Sequence, residues 1–324
     1  MTQLMSRRMA LGLGAAGLLA APAVRAQAWP SRTVTIIMPF AAGSGTDLLA
    51  RAVAQHLSET QGQRFIVDNR PGAGGNIGAA LVARAAPDGY TLLFGTPGPL
   101  ANNKLTYRNL TYDPEKSLAP IVLIAKSPLV VAAKAALPVR SIAELATLAR
   151  ANRNLTAGVP GNGTLGHIAA LLLARELRFE LTAVPYRGSS EVLSDLLGGQ
   201  IDLAVDFLPT YVQAAQDGRV RALAVTTAQR AADLPMVETV QEAGFRGFEA
   251  SAWYALAAPA GTPPEIVNGL NAAINAFLQG PKGAEAMARL SMQPVGGTPA
   301  DLRAFITAEL RRWEPVVREA NIVM

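Results

Sequence analysis

The sequence predicts an α/β protein of two lobes, each built on a mostly parallel sheet. Short β-branched runs alternate with amphipathic stretches between residues 34 and 95, which implies βαβαβ order with right-handed crossovers. The alternation restarts after residue 140. About 300 residues follow an N-terminal leader, near the size at which one hydrophobic core divides into two, and half of all residues are hydrophobic.

Residues 1–26 read as an export signal. Ser6-Arg7-Arg8-Met9-Ala10-Leu11 leads into an Ala/Gly/Leu run that ends at Val24, and Val24-Arg25-Ala26 offers small residues for cleavage before Gln27. The paired arginines and modest hydrophobicity suggest the twin-arginine route, although a Sec signal fits the same run. The stretch is shorter than the ~20 residues of a spanning helix and rich in Gly and Ala. A periplasmic location is therefore expected. Loss of Arg7, Arg8 and Arg25 lowers the formal net charge from +5 to about +2, too little for nucleic-acid binding. With no Cys and only two His, the chain has no disulfides, no thiolate chemistry and no ready metal cluster, and no cofactor is expected.

Val34 to Met38 predicts the first strand, stopped by Pro39, and Asp47 to Ser58 the first helix, with apolar positions at Leu48, Leu49, Ala52, Val53 and Leu57. Arg64 to Val67 and Tyr90 to Phe94 predict strands on either side of a helix from Asn76 to Ala85. Two apolar runs between Pro120 and Ala136, split by Ser127-Pro128, read as a crossing between lobes. Ser141-Ile142-Ala143-Glu144 is a capping box. Strands then follow at Thr156 to Pro160, Leu181 to Pro185, Ile201 to Phe207 and Arg221 to Val225, separated by helices at Thr164 to Leu177, Ser189 to Leu197 and near Pro209 to Gln216. Trp253 to Ala258 returns the chain. Thr262-Pro263-Pro264-Glu265 and Thr298-Pro299-Ala300-Asp301 each open a helix, with Thr as N-cap. The expected organisation is the signal over 1–26, lobe I over 27–125, lobe II over 126–228, and a return crossing with the rest of lobe I over 229–324.

Two turns share one design of strand, glycine-rich loop and helix start, and each is a candidate anion cradle. In Phe40-Ala41-Ala42-Gly43-Ser44-Gly45-Thr46-Asp47, the amides from Ala41 to Thr46 and the hydroxyls of Ser44 and Thr46 are donors for a carboxylate. Asp47 is expected to fix the loop or to accept from a ligand hydroxyl or water. In Gly161-Asn162-Gly163-Thr164, the Thr164 hydroxyl is a donor, with His167 facing the cleft or packing behind it. Tyr186, Arg187, Gly188 and Asp206 gather at the carboxyl edge of the second sheet, where open α/β sheets bind ligands. The glycines of Asn69 to Asn76 either shape the lobe or form a partner surface. His56 reads as a packing or surface residue.

Gly161-Asn162-Gly163-Thr164-Leu165-Gly166 also matches G-x-G-x-x-G, and Arg187 follows the next strand, so an exported NADP-dependent oxidoreductase is the alternative function. It leaves the Phe40 turn unexplained. No G-x-S-x-G elbow supports a hydrolase.

Pro39 to Asp47, Asn69 to Asn76, Pro87-Asp88-Gly89-Tyr90-Thr91-Leu92-Leu93, Tyr112-Asp113-Pro114 and Ala258-Pro259-Ala260-Gly261-Thr262-Pro263 together resemble the Bug (TctC-type) extracytoplasmic solute-binding proteins of tripartite tricarboxylate transporters, along essentially the whole mature chain. The resemblance implies a type II periplasmic binding fold with Venus-flytrap closure. It implies capture of a small carboxylate and delivery to membrane permease subunits, with a sensor protein as the other partner class, and action as a monomer rather than as an enzyme. It places the pocket at Phe40 to Asp47, Thr96, Gly161 to Thr164, His167, Tyr186 to Gly188 and Asp206. Ser44 and Thr96-Pro97-Gly98-Pro99 depart from the family pattern, which leaves room for a different ligand.

Overall fold

The computed structural model describes residues 29–151, 154–319 and 322–323. The export-signal reading of residues 1–26 lies outside them. The first unit runs β1 (Val34–Met38), α1 (Gly45–Gln61), β2 (Phe65–Asn69), α2 (Asn76–Ala83), β3 (Thr91–Gly95), α3 (Asn103–Thr106) and β4 (Leu118–Lys134). The second runs α4 (Ile142–Ala151), β5 (Leu155–Val159), α5 (Leu165–Leu177), β6 (Leu181–Pro185), α6 (Ser189–Leu197), β7 (Leu203–Phe207), α7 (Val212–Gln216) and β8 (Val220–Val225). The chain then returns through β9 (Ser251–Pro259), α8 (Pro264–Gln279), α9 (Pro281–Arg289), β10 (Gln293–Gly296) and α10 (Pro299–Glu319).

The strand order β2-β1-β3-β9-β4-β7-β5-β6, with β10 and β8 also on β4, is that of a two-lobed α/β binding-protein fold. β1 pairs in parallel with β2 and β3, and β5 in parallel with β6 and β7. The strands added to these trios by β4 and β9 are antiparallel, so the sheet is mixed. Each parallel trio points its carboxyl ends toward the cleft, which is how topology brings the glycine turns after β1 and β5 face to face.

The two apolar runs around Ser127-Pro128 form one 17-residue strand. β4 pairs with β9 from Leu118 to Pro128 and with β7 and β8 beyond Leu129. Pro128 sits where pairing changes partners, so its missing N–H costs little. Thr226, fully buried, ties this junction. Its hydroxyl accepts from Leu129 N–H at 3.0 Å and donates to Ala250 C=O at 2.5 Å, joining the strand that leaves the first sheet to the chain that re-enters it.

Three local expectations change. Leu48 is 43 % exposed, because the buried stripe of α1 runs through Leu49, Val53, Ala54 and Leu57. Thr262 does not cap α8. Its hydroxyl donates back to Pro259 C=O at 2.8 Å, and Pro263 takes the N-cap with Pro264 as first helical residue. The helix α9 and the strand β10 were not anticipated, since the intervening sequence gives no strong periodic signal. The Thr298 box forms as expected: Thr298 Oγ1 accepts from Asp301 N–H, and the Asp301 carboxylate accepts from Thr298 N–H.

Thr226→Val leaves a buried N–H and a buried C=O unpartnered at the junction. The expected result is a loss of about 1–3 kcal/mol in chemical denaturation at unchanged slope, with Thr226→Ser near wild type.

Candidate ligand-binding cleft

The turn after β1 is held from within. Gly43 has φ +89°, Ser44 accepts from Asp47 N–H at 3.2 Å, and the Asp47 carboxylate accepts from Gly43 N–H at 3.1 Å. Arg51 Nε donates to that carboxylate at 2.9 Å, and Asn69 Nδ2 donates to it and to Phe40 C=O, each at 2.9 Å. Asp47 thus fixes the loop, one of the two roles expected of it.

The same turn abuts the second lobe. Ala41 N–H donates to Arg187 C=O at 3.2 Å, Gly45 N–H to Thr210 Oγ1 at 3.3 Å, and Ser190 Oγ to Ala42 C=O at 3.1 Å. Of the amides read as ligand donors, those of Ala41, Gly43 and Gly45 are therefore engaged by the protein itself. Thr46 lies deeper, and its hydroxyl, like that of Tyr254, is buried without a hydrogen-bond partner among the described residues. Thr96 is buried at the end of β3, its carbonyl accepting from Leu100 N–H.

The turn after β5 is also internally braced. Gly161 and Gly163 have φ +144° and +71°, Thr164 Oγ1 donates to Gly161 C=O at 2.7 Å, and His167 Nδ1 accepts from Gly163 N–H at 3.1 Å. The last bond requires a neutral imidazole with its proton on Nε2. Burial lowers the His167 pKa and favours that state. Thr164 and His167 thus stand behind the turn, and shape it.

A third turn, which the sequence left ambiguous, completes the wall. Ala73, Gly74 and Gly75 take φ +48°, +62° and +93°, and Asn103 Nδ2 pins them by donating to Gly74 C=O at 3.0 Å and Asn76 Oδ1 at 2.6 Å. A left-handed Ala is a strained conformation of the kind that clusters at ligand clamps. Between the lobes lies a cavity of about 260 Å³, lined from one side by Phe40 and Gly72 to Gly75, and from the other by Pro160, Gly161, Asn162, Pro185, Tyr186, Arg187 and Glu191. The structure thus gathers Phe40, Gly161, Asn162, Tyr186 and Arg187 around one space, while Ala41 to Gly45 and Gly188 form the adjoining seam.

Side-chain absence makes that seam possible. A Cβ on Gly74 would run into the Asn162 carbonyl, one on Gly163 would come within 2.6 Å of the Tyr107 ring, and one on Gly188 within 3.2 Å of Ala41 N. Tyr107 OH donates to Asn162 C=O at 2.7 Å, closing the gap from the first lobe. Neither Tyr107 nor Asn103 carried a motif that could have singled it out. The Gly161 turn lies close against the first lobe, with an added Cβ on Gly161 only 3.2 Å from Gly74 Cα. His56 packs as expected, with Nε2 at 3.1 Å from Ala273 C=O and its ring against Phe277.

Tyr186 lines the cavity with its ring while its hydroxyl donates to Asp195 at 2.7 Å, and burial and that carboxylate push its pKa up to about 12. Asp206 is fully buried and accepts from Ser189 Oγ (2.7 Å), Phe207 N–H (2.7 Å) and Tyr211 OH (2.9 Å), positioning the start of α6. Burial raises its carboxyl to about 7 against those three donors.

Because this pKa is raised on folding, Asp206 contributes stability that is full below about pH 4 and is lost as pH rises through about 7. The expected difference between wild type and Asp206→Asn, measured by denaturation at pH 5 and pH 8, shifts against wild type at the higher pH by at most about 3 kcal/mol.

Residues 49–322 match the family model described as tripartite tricarboxylate transporter family receptor. The chain is 35 % identical to BugT of Bordetella pertussis, over 94 % of this chain and 93 % of that protein. Among solved structures it is similar to R. palustris Rpa4515 with adipate, at 42 % identity and a TM-score of 0.89, covering 91 % of this chain and all of that one. It is also similar to MatC of Rhodopseudomonas palustris with bound malate, at 34 % identity and a TM-score of 0.85, covering 89 % and 99 %. The facing glycine turns are thus those of a solute-binding protein rather than an enzyme, and the chain belongs to the tripartite tricarboxylate transporter receptor family.

Proposed function

We propose that the protein captures a small carboxylate in the periplasm, in the cavity between its lobes, and presents it to the membrane permease subunits of a tripartite transporter. The observation that carries this reading is the 260 Å³ space enclosed by the glycine turns of both lobes, where backbone donors approach a ligand without intervening side chains. Adipate and malate in the related structures support the carboxylate class. Residues 27–125 and 229–324 would form one lobe and 126–228 the other, with β4 and β9 as the connecting strands.

A micromolar Kd requires about 8 kcal/mol. Helix dipoles at ~0.3–1 kcal/mol each fall short, so several charge-assisted hydrogen bonds at ~1.5–3 kcal/mol must form in a closed, dry cleft. Closure is then both the source of affinity and the signal of occupancy that a permease would read.

A thermal-shift screen of aliphatic mono-, di- and tricarboxylates, aromatic acids and acidic amino acids tests the assignment. At least one acid is expected to stabilise the protein, by about 2.7 kcal/mol at a hundred times its Kd. Gly163→Val, blocked by Tyr107, should abolish that shift while the unliganded protein stays folded. Stabilisation by NADPH and by no acid would overturn the reading.

A further inference from the structure

The cavity lining carries, among the described residues, one cation and one acid, and the two neutralise each other. Arg187 Nη2 lies 2.7 Å from Glu191 Oε1, with Nε donating to the same oxygen at 2.9 Å. Glu191 Oε2 also accepts from Arg187 N–H at 3.2 Å. An exposed ion pair is ordinarily of small consequence. This one differs in place: both residues wall the cavity, the Glu191 side chain is only 32 % exposed, and the Arg187 carbonyl is the acceptor for Ala41 N–H across the cleft.

In a space of about 260 Å³, a ligand of several carbons has both ends near the walls. One end is a carboxylate on backbone donors, a premise that rests on the function proposed above. We propose that Glu191 sets the charge selectivity at the other end, weighting the site toward carboxylates whose far end is an uncharged polar group. A second carboxylate brought to this wall finds the guanidinium already taken and meets the like charge of Glu191, so it must displace that side chain before gaining a partner. A hydroxyl or amide can share the pair as it stands, donating to Glu191 or accepting from Arg187. Glu191→Gln keeps an acceptor for Arg187 N–H but removes the charge, and it frees the guanidinium for a dianion.

Isothermal titration with adipate and with 6-hydroxyhexanoate, matched in length, tests this on the full mature protein. Wild type is expected to favour the hydroxy acid, and Glu191→Gln to raise the adipate-to-hydroxy-acid affinity ratio on the order of tenfold. The gain should shrink in high salt and disappear when Arg187→Gln is added, with melting temperatures of the unliganded variants reporting that each is folded. Binding of both acids with an unchanged ratio in Glu191→Gln overturns the selectivity proposal and leaves the carboxylate reading standing. If wild type binds neither acid, nor any acid of the wider screen, both fall together.

Discussion

The constraint on which the rest of the structure depends is the closeness of two backbones. Where the lobes meet, Gly74 lies against the Asn162 carbonyl, Gly163 under the Tyr107 ring and Gly188 against Ala41, and a single methyl group at Gly74 or Gly163 would wedge the cleft. The remaining features serve that approach. Parallel strands deliver both glycine turns to the same edge, Asp47, His167 and Asn103 brace the three turns from behind, and β4, β9 and Thr226 connect the halves through few strands. A hinge so narrow permits closure without disturbing either core.

The electrostatics follow the same plan. The ionisable groups closest to the turns are kept from acting as free charges: Asp47 is saturated by donors, His167 is held neutral, Asp206 is buried under three hydrogen bonds, and Arg187 is paired. The cavity wall is mainly the backbone of the glycine turns, with Asn162, Tyr186 and the Arg187–Glu191 pair as its polar side chains. Selectivity must then arise from cavity length and from whatever charge the wall at Arg187 and Glu191 leaves uncancelled.

Much of this was legible in the sequence, for identifiable reasons. Strand and helix positions followed from β-branched runs and periodic apolar residues, and the Phe40 and Gly161 turns from glycines placed between them. The Asn69 to Asn76 loop was visible as a glycine cluster, but its role depends on contact with Asn162, some ninety residues away, which no local pattern encodes. Tyr107 and Asn103 were invisible for the same reason. Thr262 shows the limit of capping rules: its hydroxyl donates to the carbonyl at the strand end instead of accepting from an N–H of the helix's first turn. The single strand β4 hid behind Ser127-Pro128, since proline reads as a break unless its missing N–H falls where pairing changes partners.

Closure of one lobe on the other around a bound acid is the central claim, and small-angle scattering before and after saturation with an acid that stabilises the protein measures it most directly. The account expects the radius of gyration to contract on binding in the wild type and to stay at its unliganded value in Gly163→Val. A wild-type protein that binds the acid with no contraction, or a Gly163→Val variant that binds and contracts as fully, would contradict it.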